Sequence, residues 1–236
     1  MPLGQISGAL CLMPNNKSQG MDELTVEFYH VFWDILGPDL NPKSLKCRVL
    51  PLSCRRAVLA LLPKKGDCRD FLNWHPISLL STDYKVIAKA ISLRLRSMLM
   101  DVVHPNQTYT VLGRTIFDNL YLVRDLLELV CKNGLSFTLL LLDQEKAFNW
   151  MNHRYLLGTL QAFGFRPKFV RFLQVLYVST KCLVRLNWTL TAPVSFGQGV
   201  RQGCPLSSQL YTLAFLCLLH KRLAELVLRE LVMWPG

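Results

Sequence analysis

Residues 199–207 read Gly-Val-Arg-Gln-Gly-Cys-Pro-Leu-Ser, and an apolar pattern runs on from about Leu206 to Leu228. That pattern predicts a long helix. The glycines favour a tight turn at the start of this helix, where backbone N–H groups can approach a phosphate or a base closely. Arg201 and Gln202 add side-chain donors to the turn. The stretch therefore predicts a ligand-binding turn, although an ordinary loop before a core helix would use the same glycines and proline.

A second stretch with chemical content lies upstream, where the continuous apolar run from Phe137 to Leu142 ends at Asp143. Such a run predicts a buried strand that delivers a carboxylate at its C-terminal edge. A carboxylate in that position can bind a metal ion, but it can equally cap the turn that follows. The strand alone does not decide between these two roles.

The other patterns predict mostly helices, with a few short strands between them. Helices are predicted from Asp22 to Leu36, where Gly37-Pro38 ends the pattern, from Thr82 as N-cap to Val102, from Thr115 to Cys131, from Arg154 to Phe163 and from Pro167 to Tyr177. A strand is predicted from Ala57 to Leu62, and a hairpin from Cys182 to Leu186 with Ala192 to Phe196. These elements predict an α+β fold with helices packed on a small, mainly antiparallel sheet.

The first residues of the chain differ from the rest. Residues 1–16 contain Gly, Pro and Asn without apolar periodicity, and they are predicted to form a poorly ordered leader. No tract rich in Ser and Gly divides the remainder. Residues 17–236 are therefore predicted to form one domain.

The chain is basic, and its charge is unevenly distributed. Lys and Arg outnumber Asp and Glu by 27 to 16, which gives a net charge of +11. Residues 146–236 hold eleven Lys or Arg against only Glu225 and Glu230, so this part alone carries +9. Such a stretch suits a polyanion such as nucleic acid, or an anionic membrane surface, although a solvated face is an equally common cause.

The cysteines and the apolar runs bear on the compartment. The eight cysteines include no C-x-x-C pair and no neighbouring His at ligand spacing, so they favour reduced thiols over a zinc site. No signal segment is apparent, and the longest apolar stretch, from Leu210 to Leu219, is too short to span a bilayer. The sequence thus predicts an intracellular protein, nuclear or cytoplasmic, without a membrane partner.

Five blocks in a fixed order resemble reverse transcriptases of LINE-type (non-LTR) retrotransposons, and they cover roughly Lys17 to Leu223. The blocks are Gly20-Met21-Asp22 with Phe28-Tyr29, Leu62-Pro63-Lys64-Lys65 with residues 73–80, Gly113-Arg114 with Asp118-Asn119, residues 142–148, and residues 199–207. The resemblance implies the fingers and an incomplete palm of a right-hand polymerase. It also implies the substrates of that family, an RNA template or RNA–DNA duplex and a deoxynucleoside triphosphate.

The resemblance implies roles for particular residues around the nucleotide. Asp143 matches the carboxylate that ligates both Mg²⁺ ions, and Phe148 matches the aromatic residue that excludes a ribose 2′-hydroxyl. Lys64 or Lys65 would supply one cation of the triphosphate clamp, but the family's Arg is His75 here. Because His is only partly charged near neutral pH and has no bidentate fork, this clamp would be weaker.

The resemblance assigns the remaining contacts to two blocks. Arg201, Gln202 and Gly203 would pack the template and incoming nucleotide against the long helix, whereas Arg114 and Asn119 would contact the template. Asn149 and Ser208 depart from the family pattern, where Asp and often Pro are found.

The family's second acidic motif is missing from the sequence. The chain contains no Asp-Asp pair, and after Asp143 its only acids are Glu145, Glu225 and Glu230. The domain is therefore expected to be truncated before the Asp-Asp hairpin and the thumb. With one family carboxylate left, Mg²⁺ binding is expected to be weak.

Three interpretations follow. The first is a reverse transcriptase domain-containing protein that does not polymerise alone. The second is a non-catalytic module that binds RNA or RNA–DNA duplex, and the third is a polymerase completed by a longer isoform or in trans. In each case an unpaired sheet edge would favour self-association.

Overall fold

The computed structural model describes residues 1–40, 49–136, 138–139, 141 and 143–215, which form a mixed sheet and a set of helices. The helices are α1 (Leu3–Cys11), α2 (Val26–Val31), α3 (Trp33–Leu40), α4 (Leu52–Arg55), α5 (Thr82–Val102), α6 (Ile116–Asn133), α7 (His153–Ala162), α8 (Pro167–Tyr177) and α9 (residues 207–215). The strands are β1 (Arg56–Pro63), β2 (Trp74–Leu80), β3 (Lys181–Leu186), β4 (Thr189–Leu190) and β5 (Val194–Ser195).

The sheet joins distant parts of the chain. Its order is β2-β1-β3-β4, and β5 also pairs with β3. Strand β1 runs antiparallel to β2, from Ala57 opposite Leu80 to Pro63 opposite Trp74, but it runs parallel to β3, with Arg56 opposite Lys181. The predicted α+β class is therefore confirmed, with a sheet that is mixed because of the single parallel pair.

The predicted hairpin in the C-terminal half is also confirmed. Strands β3 and β5 pair antiparallel, with Lys181 opposite Ser195. A tight turn inside this hairpin joins β3 to β4, and its residues Asn187 and Trp188 both have positive φ, 45° and 66°. Because L side chains rarely adopt such angles, this turn is normally built with glycine.

Helix α5 forms the centre of the main core. Tyr84, Ile87, Ile91, Leu95 and Leu99 recur along one face and are buried, as the sequence pattern predicts. They pack in one cluster with apolar side chains from α7, α8 and α9, including Leu156, Leu160, Leu173, Leu176 and Leu210. Thr82 was predicted as the N-cap, which was wrong. It is the first helical residue, and its hydroxyl donates to Leu24 O at 2.6 Å.

The N-terminal region differs from the expected poorly ordered leader. Residues 3–11 form α1, in which Ile6, Ala9 and Leu10 are buried. Their i, i+3, i+4 spacing places them on one face, where Ile6 and Leu10 pack in a cluster with Val26, Tyr29 and Val86 of α5. Gly4 and Gly8 lower the helix propensity of this segment, so its pattern did not reveal the helix, but packing against a hydrophobic partner is enough to form it.

The helix predicted from Asp22 to Leu36 is divided in two. Thr25 caps α2 by accepting a hydrogen bond from Phe28 N at 3.3 Å, and the helix ends at Val31. Helix α3 then continues to Leu40, beyond the Gly37-Pro38 pair that was expected to stop it. A Cβ at Gly37 would lie 2.9 Å from the Trp33 ring, so glycine permits that close contact.

Helix α6 confirms the helix predicted from Thr115. Thr115 and Asp118 form a capping box, and Gly134 ends the helix in the left-handed conformation with φ 59°. No residue of α6 is buried, even though the helix is rich in apolar side chains. It contributes no side chain to the described core.

The strand predicted from Phe137 to Leu142 is not formed by the residues described in that stretch. Phe137, Leu140 and Leu142 lie outside the described residues, while 138, 139, 141 and 143 belong to no strand. Leu139 and Leu141 are exposed. A strand needs a neighbour that accepts and donates its ladder hydrogen bonds, and in the described sheet none pairs with this stretch.

Two further expectations concern the C-terminal part and the membrane. The helix predicted from about Leu206 begins at Ser207, and its predicted continuation from 216 to 228 lies outside the described residues. Within the described ranges, no helix combines the length and the apolar character needed to cross a bilayer.

Candidate functional site

Two glycines dock the stretch at residues 199–207 onto the rest of the domain. Gly199 has φ 87°, and a Cβ there would lie 3.0 Å from both Phe148 O and Asn149 O. Gly199 N donates to Met151 O at 2.6 Å, and Val200 N donates to Phe148 O at 2.8 Å. The turn is thus held against the segment that follows Asp143.

Gly203 makes the second close approach, to β2, the first strand in the described sheet order. It has φ 101°, and a Cβ would lie 2.8 Å from Ser78 O. In return, Ser78 N donates to Gln202 O at 2.8 Å. The two glycines therefore bring three of the blocks singled out in the sequence, residues 73–80, 142–148 and 199–207, into contact.

Arg201 is buried, which differs from the expected contact with a nucleotide. Its side chain is 2% exposed, and its guanidinium donates to Cys54 O at 3.2 Å and Arg55 O at 3.1 Å. The same group lies 4.8 Å above the Tyr84 ring. Arg201 therefore ties the turn to the C-terminal end of α4 and faces away from solvent.

Gln202 faces a cavity of about 190 Å³. The cavity is lined by Leu59, Pro76, Ser78, Asn149, Phe196, Val200, Arg201 and Gln202. The Oε1 atom of Gln202 is buried, and no described residue donates a hydrogen bond to it. Because a buried acceptor without a partner is costly, this atom is a natural point of attachment for a ligand or a water molecule.

Phe148 and Asp143 lie beside helix α9. Phe148 packs against Tyr211, with ring centroids 5.2 Å apart, and the Tyr211 hydroxyl donates to Gln144 Oε1. Burial raises the pKa of Tyr211, and the nearby Tyr109 and the charge of Asp143 raise it further. Asp143 itself is exposed to solvent. The carboxylate, the aromatic residue and the turn thus meet along one side of α9.

Sequence reasoning missed two residues in this arrangement. Tyr211 supports Phe148, and the spacing of Tyr211 and Phe215 on the predicted helix was the available signal, since their rings stack 5.5 Å apart. His153 Nε2 donates to Gly199 O at 2.7 Å, and its ring packs on Tyr177 at 4.7 Å. Burial lowers the pKa of His153, and Arg201 adds to this effect. No local motif pointed to His153.

The predicted triphosphate clamp lies at the far end of the β1–β2 hairpin. His75 pairs with Leu62, and Lys64 N donates to Asn73 O at 2.7 Å, so the two lysines and the histidine are grouped at one tip. All three side chains are exposed. Side chains alternate along a strand, so His75 points away from the face on which Pro76 and Ser78 line the cavity.

The two predicted template contacts are used inside the domain. Arg114 donates to the carbonyls of Val103, His104 and Gln107, with its shortest bond, 2.6 Å, to His104 O. Asn119 Nδ2 donates to Thr108 Oγ1 at 3.1 Å. Both side chains hold the loop between α5 and α6, and Arg114 satisfies carbonyls just beyond the end of α5.

The described residues supply few metal ligands. No three His, Cys, Asp or Glu side chains in the described ranges lie close enough together to hold a metal ion. Two-metal phosphoryl transfer needs carboxylates that bridge both ions, and Mg²⁺ demands several oxygen ligands. Asp143 alone does not fit such a centre.

Comparison with known protein families identifies the family of this chain. The family described as "Reverse transcriptase (RNA-dependent DNA polymerase)" matches residues 62–227, which include the hairpin tip, Asp143 and both glycines of the turn. The match covers more than half of the chain.

Individual relatives are similar over much of this chain. A Xenopus laevis protein named "Transposon TX1 uncharacterized 149 kDa protein" is 62% identical over 234 residues, 97% of this chain and 18% of the relative. Pol polyproteins of R2 retrotransposable elements match at 25% identity in Popillia japonica and 28% in Drosophila melanogaster, over 64% and 75% of the chain and 21% and 18% of the relatives. The chain spans about a fifth of the length of these relatives. It belongs to the reverse transcriptase family, as a domain of the non-LTR retrotransposon type.

Proposed function

We propose that the chain is the fingers and part of the palm of an RNA-directed DNA polymerase, and that it holds template and nucleotide without polymerising by itself. The observation that carries this proposal is the docked turn at residues 199–207, which leaves Gln202 Oε1 unpaired in a cavity between β2 and Asn149. A base or sugar that donates a hydrogen bond would satisfy this atom.

The surrounding residues support a nucleotide site. Phe148 lies on the same side of the domain as Asp143, because both border α9 through Tyr211. Lys64 and Lys65 place positive charge at the tip of the β1–β2 hairpin, next to His75, where it can bind a phosphate chain. Arg201 and His153 act as positioning residues. Arg201 bonds the turn to Cys54 O, and His153 donates to Gly199 O within the turn.

The proposed lack of independent catalysis rests on the metal ligands. The family implies dependence on divalent metal ions, and the cofactor we propose is Mg²⁺. One exposed carboxylate binds Mg²⁺ weakly, because most of the ion's charge stays uncompensated by the protein. Template and nucleotide binding can persist without this chemistry, since phosphate and base contacts do not require a bridged metal pair.

Binding is tested with an RNA template annealed to a fluorescent DNA primer. We expect Gln202→Ala to weaken binding of this duplex about tenfold, the effect of one buried hydrogen bond. Gln209→Ala is the matched control, because Gln209 is also buried with an unpaired Oε1 but does not line the cavity. Equal affinities of the Gln202 and Gln209 variants would contradict the proposed site.

Catalysis is tested by primer extension on the same duplex with Mg²⁺ or Mn²⁺. We expect no incorporation above that of an Asp143→Ala variant. Template-dependent incorporation above this control would show that the chain polymerises alone.

The second candidate function is a non-catalytic RNA or RNA–DNA binding module, which the +9 charge of residues 146–236 favours. The two candidate functions differ in whether a nucleotide changes the affinity of the chain for the duplex. A deoxynucleoside triphosphate complementary to the template should tighten duplex binding if the polymerase site is formed, and should leave it unchanged if the chain only binds the backbone.

A further inference from the structure

A groove between α5 and α8 lies apart from the candidate site and has no part in the proposed function. Two adjoining cavities of about 380 and 530 Å³ form it. They share Arg94, Arg166 and Phe169 in their linings. Neither contains a residue that lines the cavity around Gln202.

The polar part of the groove is positively charged. Arg94 comes from α5, whereas Arg166 and Lys168 come from the start of α8. All three are exposed, and none makes a side-chain hydrogen bond or ion pair with another described residue. The described linings of both cavities contain no acid. Three unpaired cations therefore face the same space.

The floor of the groove is aromatic. Phe169 and Phe172 lie three residues apart on α8, so both project from one face of the helix and both remain partly exposed. Phe165 stacks on Phe169 with centroids 5.3 Å apart, and Phe165 itself is buried. This support fixes the Phe169 ring. On the opposite wall, Ile91 and Met98 of α5 share the face that carries Arg94.

We propose that this groove binds single-stranded nucleic acid, with phosphates on Arg94, Arg166 and Lys168 and a base stacked on Phe169 or Phe172. Proteins that hold single strands without sequence preference combine a cationic track with aromatic rings, because every base has a stacking face. The groove places cationic side chains and aromatic rings next to each other in one lining. It would hold a strand outside the polymerase site.

An anionic membrane is the main competing occupant, and the geometry favours nucleic acid. The apolar residues of the groove form a recess between two helices and do not project as an apolar ridge. A lipid surface would instead require an apolar face that can enter the bilayer alongside the cations.

The first experiment compares two doubly substituted chains of equal charge in anisotropy assays with a 12-nucleotide oligouridine. Arg94→Gln with Lys168→Gln should weaken binding about tenfold and reduce the salt slope by about 1.4, because two phosphate contacts are lost. Arg96→Gln with Lys132→Gln is the control. Arg96 is exposed on the opposite face of α5, since two helical residues are about 200° apart.

Equal losses in the two variants would overturn the proposal, because the effect would then come from net charge. Both variants should keep the melting temperature of the parent chain, which separates lost binding from unfolding. Binding of the parent chain to vesicles containing phosphatidylserine, abolished by the Arg94 and Lys168 substitutions while RNA binding persists, would assign the groove to membranes and overturn the proposal.

Photo-crosslinking with 4-thiouridine RNA separates this groove from the polymerase site. Crosslinks to Phe169 or Phe172 are expected in the parent chain and should be lost in the Arg94 and Lys168 variant. Crosslinks confined to Phe148 and Tyr211 would contradict nucleic-acid binding in the groove while leaving the proposed function intact. Crosslinks confined to the groove would support nucleic-acid binding there and would contradict the proposed function.

Discussion

At the turn between β3 and β4, Trp188 adopts φ 66° while its side chain is 94% exposed. Its Cβ is therefore in steric conflict with the backbone, and the indole gains little from burial. Trp188→Gly should stabilise the fold by about 1 kcal/mol relative to Trp188→Ala, because only glycine removes the conflict. Urea unfolding at 25 °C measures the difference. Equal stability of the two variants would show that the turn relaxes without cost.

His153 should make the stability depend on pH. Burial lowers its pKa in the folded chain, so the folded state binds the proton less well than the unfolded state. The stabilisation is therefore complete above the ordinary pKa of about 6.5 and is lost as the pH falls through the lowered value. His153 faces the Tyr177 and Phe196 rings, Gly199 O and the charge of Arg201.

The test is the melting temperature between pH 7.5 and pH 5. His153→Gln retains a donor for Gly199 O but does not titrate, so its melting temperature should fall less over this range. His75→Gln is the control, because His75 is exposed. A parent-like pH profile for the His153 variant would assign the dependence to other groups.

Single residues also show where sequence reasoning stops. The sequence places Arg201 in a turn, but it does not state whether the guanidinium points outwards, and the carbonyls of Cys54 and Arg55 that hold it lie more than 140 positions away. Arg114 is also turned inwards, although its partners, carbonyls at the end of α5, are close in sequence. Residue type predicts chemistry, whereas orientation depends on the neighbours that the fold supplies.

Among elements, the docking of residues 199–207 depends on its glycines. Gly199→Ala and Gly203→Ala should each destabilise the fold by about 2 kcal/mol or more, because both positions have positive φ and a Cβ would press on a backbone oxygen. Gly197→Ala is the control, since no heavy atom lies within 4 Å of its added Cβ. Chemical denaturation compares the three. A neutral Gly203→Ala would mean that β2 and the turn can separate.

Elements with strong periodicity were predicted well, and those that depend on a partner were not. Helices α5, α6, α7 and α8 follow their apolar patterns closely. Helix α1 contains Gly4 and Gly8, which disfavour a helix, so it was not recognised without α5 beside it. The stretch from Phe137 to Leu142 has the composition of a strand, but its described residues, 138, 139 and 141, pair with no described strand, and composition cannot provide such a partner.

On the scale of the whole molecule, α6 leaves an extensive apolar surface uncovered. Ile116, Phe117, Leu120 and Leu129 are each more than half exposed. We propose that this surface, together with the exposed Leu139 and Leu141, drives self-association. Phe117→Gln with Leu120→Gln should shift the chain towards monomer in sedimentation velocity experiments, without lowering its melting temperature.

The matched control is Leu62→Gln with Phe71→Gln, which removes two exposed apolar residues from the β1–β2 hairpin. If both pairs reduce association equally, the effect follows total exposed apolar area and does not depend on α6. A parent chain that remains monomeric at high concentration would contradict the proposal.

The parallel pairing of β1 with β3 also determines the order in which the chain can fold. Residues 56–59 must meet residues 181–184, and Arg201 must reach Cys54. Closing such large loops costs entropy before any contact repays it, so chains with these pairings fold slowly. During synthesis, β1 and β2 leave the ribosome long before β3 exists. One edge of β1 therefore stays unpaired until residues 181–184 have been synthesised and have left the ribosome.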